Sequence, residues 1–306
     1  MAKRRGETDM KWVDIRDMLG LQITPDQLRK QAVGYEKVYN YFTDKDAAGI
    51  KTRILSISDA HVPFNLPVDV FAKYSHKVDI LVFNGDIEDC WSCSKFPRMY
   101  RLGFEKEMVL ARQYMIDIIN LIRPKQVLVL MGNHESRLGR YLSVNLNEDL
   151  LAIMPDSPLD LIVNEGFHVR DRMNKTDTYY SPLVELYKEQ NINITFDGSW
   201  YTKIGHVIFA HPLSYSSAML KTTEKAVNYF LRVDRDFSAI CLGHTHKLGS
   251  YKQGNILMYE QGCCCDLSKL DYADGKLVLP GQNGFLYLCL DDNGDVIENK
   301  TLLETL

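Results

Sequence analysis

Five short apolar runs in this chain end in the same few residue types, and that recurrence restricts the fold more than any other feature. The run "RILSISDAH" closes on Asp59 and His61, "DILVFNGD" on Asp86, and "QVLVLMGNH" on Asn133 and His134. Further on, "VIFAH" closes on His211 and "AICLGHTH" on His244 and His246. Short stretches rich in Val, Ile and Leu, bounded by Gly, Asn and Asp, read as strands, and the helical periodicity from about Phe104 to Ile122 between the second and third gives a βαβ texture. In sheets of that kind ligands gather at the carboxyl ends of the strands, so these scattered residues are predicted to converge on one crevice. Residues i and i+2 of an extended chain point to the same side, which is expected to turn Asp59 with His61, and His244 with His246, into that crevice together. Glycines before Asp86, Asn133 and His244 allow a tight turn and close backbone approach.

The chemistry of the set points to metal ions. Carboxylates, imidazoles and a carboxamide oxygen are all metal-ligand types, and there are more of them than one tetrahedral zinc requires; they suit two adjacent ions sharing a carboxylate. A lone DxH or a lone histidine is weak testimony, but five of the eight histidines fall in the ordered set. His76, His168 and His206 lie outside it and are expected to be structural.

Beyond an irregular stretch from 143 to 200, strands return at "HVIFA", "SAICL", "NILMYE" and "GFLYLCL", mostly with short connections, which predicts a second, more antiparallel sheet. The expected fold is α/β, two facing mixed β-sheets flanked by helices, with a small N-terminal helical segment. That segment, residues 1–50, differs in character from residues 51–306. Trp12, Ile15, Met18 and Leu19 recur at helical spacing and Gly20 closes the turn. Thr24-Pro25-Asp26-Gln27 then reads as an N-cap, a proline at the first helical position and a capping-box glutamine. A helix-turn-helix is compatible with this pattern, as is a helical hairpin; nine Lys or Arg against eight Asp or Glu in residues 1–50 give little basic excess.

Composition adds exclusions. A net charge of −4 over 306 residues gives no global attraction to nucleic acid or anionic lipid. No window approaches the roughly 18 consecutive apolar residues of a membrane span, and "MAKRRGETDM" lacks the apolar core of a secretory signal, so a cytoplasmic protein with no membrane contact is expected. The seven cysteines form no secreted-type framework: Cys263, Cys264 and Cys265 are consecutive, and Cys90 with Cys93 makes a lone CxxC. Reduced thiols are expected, the three consecutive ones as small buried hydrophobes.

Taken together, DxH at Asp59–His61, GDxxD at Gly85–Asp89, GNHE at Gly132–Glu135, His211 and GHTH at Gly243–His246 resemble the five signature blocks of the calcineurin-like metallophosphoesterases. The resemblance spans about residues 53 to 290. It implies that Asp59, His61 and His246 hold one ion, that Asn133, His211 and His244 hold the other, and that Asp86 bridges them. It further implies that His134 faces the substrate phosphate as general acid, with Asp89 and Glu135 orienting neighbouring side chains. Two divalent ions would follow, manganese first by analogy with nucleases, iron or zinc otherwise.

The substrate must be read elsewhere. Trp91, Phe96, Tyr100 and Phe104 interleave with Lys95, Arg98 and Arg101, a pattern suited to phosphate contact and base stacking. "GNHESRLGRYL", "GCCCDL" and the helical leader are also similar to phage and prophage phosphoesterases of the SbcD-like kind, although the C-terminal region through which that branch engages its ATPase is not recognisable. The expected function is phosphodiester hydrolysis by a nuclease acting on DNA. The alternative is a phosphomonoesterase or a small-molecule or cyclic-nucleotide phosphodiesterase.

Overall fold

The computed structural model describes residues 10–34, 49–95, 102–171, 173–269 and 280–306. The chain divides into two compact units, Met1–Ile50 and Lys51–Leu306. In the first, helix α1 (Trp12–Met18) is followed by Gly20 at φ +63°, and helix α2 covers residues 25–34. The capping box read from Thr24-Pro25-Asp26-Gln27 is formed: Gln27 N donates to Thr24 Oγ1 (3.2 Å) and Thr24 N to Gln27 Oε1 (2.8 Å). Arg29 and Lys30 both pair with Asp26, at 2.7 and 3.0 Å. None of the described residues of this unit is buried.

In the second unit the strands are, in chain order, β1 (Thr52–Ile57), β2 (Ile80–Asn84), β3 (Gln126–Leu130), β4 (Phe167–Asp171), β5 (Thr176–Tyr180), β6 (Asn193–Thr195), β7 (Tyr201–Ile204), β8 (Val207–Ala210), β9 (Ala239–Leu242), β10 (Leu248–Gln253), β11 (Ile256–Gln261), β12 (Gly284–Leu290) and β13 (Leu302–Thr305). The helices are α3 (Phe104–Ile122), α4 (Ser136–Asn145), α5 (Glu148–Leu151), α6 (Leu183–Leu186) and α7 (Lys221–Val233). One sheet has the order β13-β12-β1-β2-β3-β6 and the other β10-β11-β9-β8-β7, while β4 and β5 form a separate hairpin.

Side-chain alternation explains why two sheets stack. Ile54 of β1 and Val82 of β2 face the partner sheet, where they meet Val207, Phe209, Ala239 and Cys241. Their neighbours Leu55, Leu81 and Phe83 face outward onto α3 through Met115, Ile118 and Ile122. On the far side Ile208, Ile240 and Leu242 pack on Ala226, Val227 and Phe230 of α7. Strands apolar on both faces can only sit between two layers, which gives helix, sheet, sheet, helix.

The second sheet differs from expectation in one respect. Its centre, β8, β9 and β11, is parallel, and only the edge strands β7 and β10 run antiparallel. The reason is α7, which carries the chain from β8 back to the start of β9. Between the two sheets lies a small polar seam: Gln261 Oε1 accepts from Ser56 Oγ (2.8 Å), Cys241 Sγ (2.7 Å) and Asn84 Nδ2 (3.4 Å). No helix among the described residues is long and apolar enough to cross a membrane.

Candidate metal centre

Every residue singled out at a strand end lies at the same end of the two sheets. Asp59 and His61 follow β1, Asp86 follows β2, and Asn133 with His134 connects β3 to α4. His211 follows β8, and His244 and His246 follow β9. The residues form overlapping groups whose donor atoms lie within 4.8 Å: Asp59, His61 and His246; Asp86, His211 and His244; and His61, Asp86 and His134. Within the first, His246 Nε2 is 3.1 Å from Asp59 Oδ1 and 3.0 Å from His61 Nε2. Around the second, His211 Nε2 is 3.2 Å from Asp86 Oδ2 and 3.3 Å from Asn133 Oδ1. Asp86 belongs to two groups at once and lies where they meet.

Convergence at the strand ends is as expected, but the expected reason for the pairing within DxH and HxH does not hold. The paired residues do not alternate along an extended chain. Asp59, His61, Asp86, His244 and His246 instead have left-handed backbones, with φ of 55, 47, 52, 75 and 53°. For a residue other than glycine this conformation costs about 1–2 kcal/mol, and it persists where surrounding bonds over-determine it. Those bonds are present. Asp59 N donates to Gly85 O (3.1 Å), His61 N to Asp86 O (3.0 Å) and His244 N to the Asp59 carboxylate (2.9 Å). His134 N donates to Asp86 Oδ1 at 2.8 Å.

Charge compensation follows from the packing. Burial raises the pKa of Asp59 and Asp86, but His246 and His211 respectively outweigh it, so both stay ionised. Burial lowers His211 and His246, yet Asp86 and Asp59 respectively bring them up to about 10 and about 9. Burial and a neighbouring imidazole press His61 and His244 down to about 4, leaving them neutral, as a metal ligand must be. His244 Nε2 is buried with no hydrogen-bond partner among the described residues. A buried unpaired acceptor is costly, and one aimed at Asp86 and His211 fits a cation between them. The donor set therefore fits a pair of divalent ions.

The sequence profile of the calcineurin-like phosphoesterases matches residues 52–248, more than half of the chain. The chain belongs to the calcineurin-like phosphoesterase family. No curated protein matches it. Among solved structures, vacuolar protein sorting 29 from Cryptosporidium parvum aligns over 79% of this chain and 86% of its own, at 16% identity and a TM-score of 0.41. Vps29 from Entamoeba histolytica complexed with zinc covers 80% and 88% at 15% identity and 0.37. An archaeal phosphodiesterase covers 80% and 97% at 13% identity and 0.35.

Several residues of this calcineurin-like site were not singled out in the sequence. Arg137 donates through Nη2 to His134 Nε2 (2.8 Å) and through Nη1 to Asp89 O (2.8 Å). Its spacing of three from His134 at the start of α4 is the signal that could have found it. Lys247, directly after GHTH, is buried, and its ammonium donates to Ser216 O (2.9 Å) and Ser217 O (2.8 Å), pinning the loop between His211 and α7. Asp89 does orient side chains, at 2.9 Å from His134 Nδ1 and 3.4 Å from His61 Nδ1. Glu135 instead holds backbone, accepting from the amides of Asp86 (3.1 Å), Glu88 (3.0 Å) and Gly132 (2.9 Å). His168 and His206 pair with Asp177 and Asp236, away from the site, and Cys90 with Cys93 joins no metal-type group among the described residues. Of the basic and aromatic stretch, Phe96, Arg98, Tyr100 and Arg101 lie outside the described residues.

Beneath the site three glutamates are buried together. Glu107 of α3 accepts from Trp91 N with both oxygens (3.2 Å each), and burial together with Asp89 pushes its pKa up to about 8; Glu88 and Glu135 are also raised. A carboxyl raised in the folded state stabilises it fully below its unfolded pKa of 4.5 and loses that contribution as pH climbs through about 8. Chelator-treated protein should therefore lose on the order of 3 kcal/mol between pH 5 and 8 through Glu107. The raised histidines act in the same direction above about pH 6.5, so the comparison must be with Glu107→Gln. Thermal melts across that range should show a shallower decline for the variant; parallel declines would mean that Glu107 does not titrate there.

Proposed function

We propose that the protein is a dinuclear-metal phosphodiesterase acting on DNA, with Asp59, His61 and His246 holding one ion, Asn133, His211 and His244 the other, and Asp86 shared, manganese being the favoured metal. The observation that carries this reading is the position of Asp86, grouped on one side with His211 and His244 and on the other with His61, which itself belongs to the group of Asp59 and His246. When bound, two such ions supply an activated water and neutralise the phosphate for in-line attack.

The chain's own groups account for the rest. Asp89 holds His134 through Nδ1, which aims Nε2 at the crevice beside Asp86, 3.8 Å away. Arg137 shares that nitrogen at 2.8 Å. A phosphate entering the crevice attracts the guanidinium and frees His134 Nε2, which takes up a proton from solvent while Asp89 holds Nδ1 and then passes it to the departing oxygen. His134→Ala should keep its metal and lose about 10²- to 10⁴-fold in turnover of an ester with a poor leaving group. The loss should be smaller with a p-nitrophenyl leaving group, which needs no proton. Equal losses on both substrates would remove the proton-donor role.

A nucleotide-type substrate is supported by the cavity that adjoins His211. It measures about 400 Å³ and is lined by Met131, Trp200, Leu213, Tyr229 and Lys225 among others. Flat aromatic surface beside a phosphate site suits a stacked base. The test is a manganese-supplemented panel of bis-p-nitrophenyl phosphate, p-nitrophenyl phosphate, and single- and double-stranded DNA. Turnover of the diester and of DNA is expected; turnover of the monoester alone overturns the nuclease reading. Salt-dependent DNA binding that weakens when residues 1–50 are removed would place a DNA contact on the helix-turn-helix-like segment.

A further inference from the structure

The three consecutive cysteines do not behave alike. Cys264 packs into the large core under α3, as a small hydrophobe does. Cys263 and Cys265, on the opposite side of the chain by simple alternation, are fully buried but belong to no such core; among the described residues only Leu267 packs against them as a partly buried hydrophobe. Their sulfurs and a ring nitrogen of His246 lie within 4.8 Å of one another.

Backbone bonds fix this group. Gly262 N donates to Lys247 O (2.7 Å), Cys263 N to Gln282 O (3.0 Å) and Gln282 N to His246 O (2.7 Å), so the cysteine and histidine segments are held side by side. Asn283 Nδ2 donates to the carbonyls of Cys263 (3.1 Å) and Cys265 (2.6 Å). On the other flank Cys264 N donates to Ser58 O and Asp59 O, each at 3.1 Å.

We propose that Cys263, Cys265 and His246 form a second kind of metal site, selective for a sulfur-preferring divalent cation such as zinc or cadmium. The spread of the three donors is compact enough for one ion with metal–sulfur distances of about 2.3 Å. Paired thiolates with an imidazole favour such ions over manganese or magnesium, which the oxygen-rich groups of the crevice suit better. Binding deprotonates both thiols and the imidazolium of His246, releasing three protons to solvent and leaving two thiolates and a neutral imidazole as ligands. Because His246 also belongs to the Asp59 group, occupancy of the sulfur site and of that group is coupled through one imidazole.

The site is tested on the full-length chain, reduced and stripped with chelator, by anaerobic titration with cobalt(II) followed by absorption. An intense sulfur-to-cobalt charge-transfer band is expected in the wild type and in Cys289→Ser, and its loss in Cys263→Ser/Cys265→Ser. No band in the wild type, or a band that survives in the double variant, overturns the proposal. If the double variant fails to fold, Cys265→Ser alone should weaken the band, and an unchanged band overturns the proposal equally. The readout needs no hydrolysis, so its failure is distinguishable from failure of the phosphodiesterase reading.

Discussion

Replacement of Asp86 by asparagine is expected to abolish turnover and metal binding together while leaving the fold intact. The two side chains have the same shape, and an asparagine oxygen can still accept from His134 N, the 2.8 Å bond that holds the GNHE turn. What changes is charge. Oδ2 lies 3.2 Å from His211 Nε2, and an amide there removes the negative charge that faces the histidines and would be shared between two ions. Outer partners of metal ligands already cost about 10- to 100-fold, so loss of a shared carboxylate should exceed 100-fold in manganese-supported turnover. Metal analysis should find less than two ions per chain, with an unchanged circular dichroism spectrum. An Asp86→Asn protein that kept both its ions and its activity would sink the two-ion reading.

Gly132→Ala should be the most damaging single-methyl change in the site. A Cβ at this position would stand 2.1 Å from Asp86 Oδ1, 2.3 Å from Asp86 N and 2.7 Å from Glu135 Oε2. One of these neighbours is backbone, and the two carboxylates are themselves held by the amides of His134, Glu88 and Gly132, so none can retreat without breaking a bond. Overpacking a rigid site costs typically about 1–3 kcal/mol, and this arrangement falls at the upper end or beyond. Urea unfolding should show that loss and the activity assay a displaced Asp86. Asn133→Ala is the useful contrast, since it removes a donor and adds no atom: activity should fall with little change in stability. A Gly132→Ala protein of wild-type stability would mean that Asp86 does not lie against this turn.

The central strands β1, β2, β3, β8 and β9 and the donors that follow them were readable because both are written locally: apolar runs of strand length, closed by a residue whose chemistry has few other uses in that place. The start and end of α3, Phe104 and Ile122, and the Thr24 capping box were readable for the same reason. The more polar β4, β5, β6, β7, β10 and β13 carry no such signal and were not read. What the letters did not carry is conformation imposed from a distance. Nothing about Asp59 or His244 announces a left-handed backbone; the bonds from Asp59 N to Gly85 and from His244 N to Asp59 impose it, across 26 and 185 positions. Arg137 and Lys247 look like ordinary surface cations until the structure shows one on His134 and the other buried under a loop. The parallel centre of the second sheet was hidden for a related reason, since α7 does not say which side of β8 its following strand will join.

The polar seam around Gln261 has a consequence for precision. Apolar layers attract without direction and would let two stacked sheets slide over each other at little cost. Ser56, Cys241 and Asn84 converging on one carboxamide oxygen act as a dowel through both sheets, set just below the ends from which the donors project. Whatever alignment the crevice needs between its two walls is thus machined into the scaffold before any ligand arrives.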